Sequence, residues 1–96
     1  MPNEQQILKG RGAMDAYRTA HTQLYSKGWY QGISEAHTPL LNMMLVALKE
    51  QGFGSLDELF TASDDLNAQQ LGYNDMTDFE ARATDADREK LAGMWH

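Results

Sequence analysis

His21 follows Tyr17 by four residues and precedes Tyr25 by four, so on a helix the three rings lie on successive turns. An imidazole between two phenols could pass a proton, since histidine is the side chain that ordinarily titrates near neutrality. A reaction needs more than a relay. The chain has no nucleophile elbow and no glycine loop shaped to cradle phosphate. Gly10-Arg11-Gly12 follows no strand pattern, so it is not a dinucleotide fingerprint. His21 therefore reads as a packed or interface histidine, and no catalytic residue is expected.

Metal ligation fares no better. His21, His37 and His96 are scattered, without the paired spacing of a zinc or di-iron helix. Asp64, Asp65, Asn74 and Asp75 lack the ligand order and closing glutamate of a calcium loop. Helix caps and solvated acids explain them, so neither metal nor cofactor is expected.

The constellation with most to say about function is the stripe Tyr25, Trp29, Tyr30, Ile33, with Gly28, Gly32 and Ala36 interleaved at four-residue steps. Small residues at that spacing cut a groove where a second helix backbone can approach. Tyrosine and tryptophan offer large contact area and a polar tip at low entropy cost, which is why they dominate binding hot spots. These seven residues either pack on the subunit's own core or face a second chain, and they are the candidate partner-binding face.

Composition sets limits. Ninety-six residues suffice for one core. With no cysteine, neither a disulfide nor a thiolate metal site can brace it. The start shows no basic segment followed by an apolar run, and no apolar run approaches the roughly 20 residues a bilayer requires. A soluble cytoplasmic protein is expected. Residues 1–54 carry five basic and four acidic side chains, whereas 55–96 carry three basic and ten acidic, so net charges of +1 and −7 divide the chain. Direct nucleic-acid binding is disfavoured, because no cluster of Lys and Arg exists to displace counterions.

The elements that position these residues are helical, and no alternating β-branched run or internal repeat appears. Residues 1–12 read as a flexible arm with a short Ile7-Leu8 patch, and 13–96 as a single helical domain. Ala13, Ala16, Tyr17, Ala20 and Leu24 share one face; a long helix to Ala36 is preferred over a break at Lys27 capped by Gly28. The segment 39–51 is the expected centre. Eight of the nine residues Leu40–Leu48 are apolar, Thr38 and Pro39 supply a start, and Gly52-Phe53 an end. Ser55 and Glu58 form a capping box, Ser63-Asp64-Asp65 a further start, and Gly72 a stop. Thr77 and Glu80 form another box, and Asp85–Ala92 a last helix ending at Gly93. The whole is a small all-α bundle of four to five helices around 39–51, and homodimerisation is the economical way to cover so apolar a helix.

These readings predict a small regulatory protein of bacterial or phage type that binds another protein. It would be an antagonist or anti-activator that occludes the dimerisation or target-binding surface of, for example, a transcription regulator. One alternative is an acidic mimic of a nucleic-acid backbone, since residues 57–80 hold seven carboxylates and no Lys or Arg. Another is a small-ligand sensor with a pocket beside the central helix.

Overall fold

Asn3 opens the first helix by a reciprocal cap. Its Oδ1 accepts from the Gln6 N–H at 2.9 Å, and its own N–H donates to Gln6 Oε1 at 2.8 Å. The computed structural model describes residues 2–26 and 30–96, and side chains at 2–23 and 39–96. Five helices follow in order: α1 (Glu4–Ser26), α2 (Tyr30–Glu50), α3 (Leu56–Gln70), α4 (Met76–Arg82) and α5 (Asp85–Ala92). The protein is all-helical, with no strand among the described residues.

Residues 4–12 thus belong to α1 rather than to an arm, and Ile7 is buried. Of the two glycines that suggested looseness, Gly10 serves packing instead, while Gly12 faces open space. A Cβ on Gly10 would stand 2.7 Å from Leu59 Cδ1 and 3.1 Å from Phe53 Cε2, so α1 meets the rest of the core at its bare backbone. The expected single helix from Ala13 to Ala36 spans residues 27–29, which lie outside the described residues.

The start assigned to Thr38-Pro39 is corrected: α2 already runs from Tyr30, and Pro39 is internal. Proline's fixed φ is itself helical, so the helix continues through Pro39, although the ring removes one ladder bond and crowds the preceding turn. The end is as the residues indicate. Gly52 takes φ 90°, its N–H bonds to Lys49 O at 3.0 Å, and the Phe53 N–H returns to Leu48 O at 3.0 Å.

That joint recurs at the end of α3. Gly72 takes φ 97°, its N–H reaches Gln69 O at 3.0 Å, and the Tyr73 N–H reaches Ala68 O at 3.0 Å. Ser55 then caps α3, its Oγ accepting from the Glu58 N–H, as Asp75 caps α4 by accepting from the Asp78 N–H. In both joints the capped acid reaches back one residue before the cap: Glu58 accepts from the Gly54 N–H, and Asp78 from the Asn74 N–H. The box at Thr77-Glu80 is therefore displaced to Asp75-Asp78, whose carboxylates sit closer to the turn. The repetition lies in hydrogen bonding rather than residue identity, which is why no sequence repeat is visible.

The second start, at Ser63, is also corrected. α3 runs unbroken through it, carried by the stripe Leu56, Leu59, Ala62, Leu66, while the Ser63 hydroxyl bonds elsewhere. Thr84, in contrast, caps α5, and Gly93 ends it, as expected.

The core lies where α1, α2 and α3 meet and contains Ile7, Met14, Met44, Leu48, Phe53, Leu59 and Leu66. α4 packs on α3 and buries Phe79 against Tyr73, edge to face at 5.0 Å. α2 is therefore not sheathed: Met44 and Leu48 are covered, while Met43 is 70% and Val46 56% exposed. The reason is topological. The later helices extend from α3 instead of folding back over α2, and the radius of gyration is 15.8 Å, against about 12–13 Å for a compact domain of this length.

Candidate functional site

The predicted partner-binding residues cannot be placed together. Gly28 and Trp29 lie outside the described residues, as do the side chains of Tyr25, Tyr30, Ile33 and Ala36 and the surroundings of Gly32. Of the proposed relay, Tyr17 and His21 are stacked with ring centroids 5.8 Å apart, and Tyr25 again lies outside the described side chains.

Two other arrangements carry the described chemistry. The first is a polar knot between α1, α3 and the chain end. Arg11 Nε donates to Ser63 Oγ at 2.9 Å; its Nη2 donates to Ser63 O at 3.2 Å and Asn67 Oδ1 at 2.7 Å. Asn67 passes the connection on, donating Nδ2 to Trp95 O at 2.9 Å. The Trp95 indole donates Nε1–H to Asp15 Oδ1 at 2.9 Å. Its ring stacks on Phe60 and lies under the guanidinium groups of Arg11 and Arg18, 5.5 and 5.1 Å from its centroid.

Ser63 and Asn67 are 0% and 2% exposed, and among the described residues no buried side-chain polar atom lacks a partner. Burial lowers the Arg11 pKa from its ordinary value, with Asp15, Asp64 and Glu4 pulling the other way. Asp64 lines the same recess as Asn67; burial and then Asp65 raise its pKa, while His96 and Arg11 oppose the rise. A hydroxyl sealed from solvent and bonded to a guanidinium is a poor nucleophile, so this knot fastens the chain end rather than performing a reaction. Arg11 and Trp95 carry no motif. The one sequence signal was a polar pair, Ser63 and Asn67, one turn apart on an apolar stripe.

The second arrangement is the flank of α1 and α2 away from α3. Ala13, Ala16, Tyr17, Ala20, Leu40, Met43, Met44 and Ala47 line a groove of about 320 Å³. None of these side chains is charged. Alanines at three- and four-residue steps bring the backbone of α1 near its surface, and Met43 stands beside them as a flexible apolar knob. Holes beside a knob suit a helix face better than a reacting small molecule.

Among the described residues no group of three or more His, Asp or Glu side chains is placed to hold a metal ion, and no helix is long and apolar enough to cross a membrane. No family model matches the chain, and neither a curated protein nor a solved structure does.

Proposed function

We propose that this chain is a small regulatory protein that acts by binding another protein and catalyses nothing itself. In this reading it is an antagonist of bacterial or phage type, working in the cytoplasm. It covers a surface that its partner, a transcription regulator being the expected class, needs for dimerisation or target binding. The chain also pairs with itself, and its helices form a bundle completed by the second copy.

The supporting observation is the uncharged α1/α2 flank, where Met43 stands 70% exposed beside a groove of alanines. Large apolar side chains grouped on one face mark interaction surfaces more often than scattered ones do. Pairing there also joins the near-neutral halves of two chains and keeps the acidic halves apart.

Light scattering tests the reading. The wild type should scatter at twice the 10.8 kDa chain mass, and Met43→Glu at the single-chain mass with helical circular dichroism retained. A wild type that scatters as one chain, or a variant that stays paired, contradicts it. Trp29→Ala with Tyr30→Ala, assayed for partner capture after affinity purification from the native cell, tests whether the aromatic stripe is used as well.

A further inference from the structure

Residues 84–96 are attached unlike the rest of the fold. Among the described residues α1, α2 and α3 pack on one another and α4 packs on α3, whereas α5 packs closely on none of them and buries no side chain of its own. What holds this segment down is Trp95. Its ring stacks on Phe60 at 5.9 Å and lies under the guanidinium groups of Arg11 and Arg18, its Nε1–H donates to Asp15, and its carbonyl accepts from Asn67. One further tie, from the Tyr73 O–H to Asp87 Oδ2 at 2.6 Å, sits at the other end of α5.

The socket around the indole does not depend on its occupant. Phe60 and Asn67 belong to α3, Arg11, Asp15 and Arg18 to α1, and the two helices are fixed together by the Arg11 bonds to Ser63 and Asn67 and by the close approach at Gly10. Lifting Trp95 out therefore leaves the walls standing. It also buries no orphaned polar group, because Asp15 is already exposed and the Asn67 amide would turn to water.

The backbone offers a hinge at the right place. The Ala83 N–H closes α4 on Phe79 O, and both oxygens of Thr84 cap α5 by accepting from the Asp87 and Arg88 N–H groups. No backbone bond among the described residues joins the two ladders, and Ala83 and Thr84 are both extended. Element-terminal residues of this kind absorb the dihedral change when one unit swings against another.

We propose that residues 84–96 form a strap that leaves α1 and α3 as one unit, so that the socket alternates between being filled by Trp95 and being open to a tryptophan-bearing segment of another chain. Trp95 is then an internal competitor: tethered beside its socket, it is present at high effective concentration and must be displaced by any outside indole. The inference goes beyond pairing through Met43, which can hold or fail independently of it.

Hydrogen exchange and chemical shifts of the ¹⁵N-labelled chain provide the test. In the wild type the amides of 89–92 and the Trp95 indole N–H should exchange together, at least about tenfold faster than the amides of Leu59 and Leu66. Trp95→Ala should strip protection from 89–92 while Leu59 and Leu66 stay protected. Capped Gly-Met-Trp-His should then shift the Phe60 and Arg18 amides of that variant saturably, with the wild type and a capped Gly-Met-Leu-His control each binding at least about tenfold more weakly. If circular dichroism shows Trp95→Ala unfolded, Tyr73→Phe, which releases only the Asp87 tie, should speed exchange of 89–92 in the same sense. Exchange of 89–92 only at the rate of the core, no saturable shift in folded Trp95→Ala, or equal binding of the leucine peptide or by the wild type overturns the proposal.

Discussion

Arg11 Nη2 lies 2.7 Å from Asn67 Oδ1, although 56 positions separate the two residues. The amide returns its Nδ2 to Trp95 O at 2.9 Å, so a single buried side chain ties the first helix, the third and the chain end. This bond fixes how α1 lies on α3. Apolar packing alone would tolerate small slides, whereas a guanidinium satisfied by Ser63 and Asn67 permits few.

Removing one side of this arrangement strands the other. Arg11→Met should lower unfolding free energy by about 1–3 kcal/mol, because Asn67 Oδ1 and Ser63 Oγ would be left without their donor. Asn67→Leu should cost a similar amount by the same logic. Urea denaturation of both single variants and the double gives the coupling, expected at about 0.5–3 kcal/mol. Additive losses would show that the bond contributes nothing beyond the shape of its parts.

Two glycines of α1 should respond in opposite directions. Gly10→Ala forces a methyl into Leu59 and Phe53, both nearly sealed from solvent, and should cost about 1–3 kcal/mol through overpacking. Gly12 has nothing within 4 Å of its absent Cβ, so Gly12→Ala should stabilise by about 0.5–1 kcal/mol through helix propensity alone. Thermal unfolding of the two variants is the measurement. Equal shifts would mean that α1 does not cross the core at Gly10.

Gly52 and Gly72 follow the same logic at the joints. Each holds a positive φ, so alanine at either position should cost about 1–2 kcal/mol, with helix content little changed. A neutral outcome at Gly72 would place the α3–α4 joint outside the cooperative unit.

The readability of these features tracks how local their causes are. Gly52, Ser55, Thr84 and Gly93 could be assigned from the chain because each is satisfied within five or six residues by its own backbone partners. Asn3 and Gln6 carried the same kind of signal, which Gly10 and Gly12 obscured by suggesting a loose arm. Ser63 misled for the opposite reason. It resembles a cap, but its oxygen is claimed by Arg11 from a distant helix, and no local rule reports that. The apolar run 40–48 correctly marked a core element, yet hydrophobicity did not say which sides the chain itself would cover. The exposed Met43 flank is legible only after α4 and α5 are seen to lead away from α2.

Two carboxylates should give stability profiles of opposite sign against pH. Asp78 accepts from Nε and Nη2 of Arg82, each at 2.6 Å, and from the Asn74 N–H at 2.9 Å, and these bonds, Arg82 first, hold its pKa down to about 2. An unfolded aspartate titrates near about 3.9, so the native state binds fewer protons between those values. The stabilisation is complete above about pH 5 and disappears as pH falls through about 4 towards 2. The gap in unfolding free energy between wild type and Asp78→Asn should therefore be flat near neutrality and close in acid. Added salt should narrow it too, since Arg82 is 60% exposed. Asp64 runs the other way. Burial and Asp65 raise its native pKa, so its ionisation weakens the fold as pH climbs through that raised value. Asp64→Asn should gain stability relative to wild type as pH rises and match it at low pH. A profile for Asp64→Asn parallel to that of Asp78→Asn would mean that its carboxylate is paired rather than merely buried.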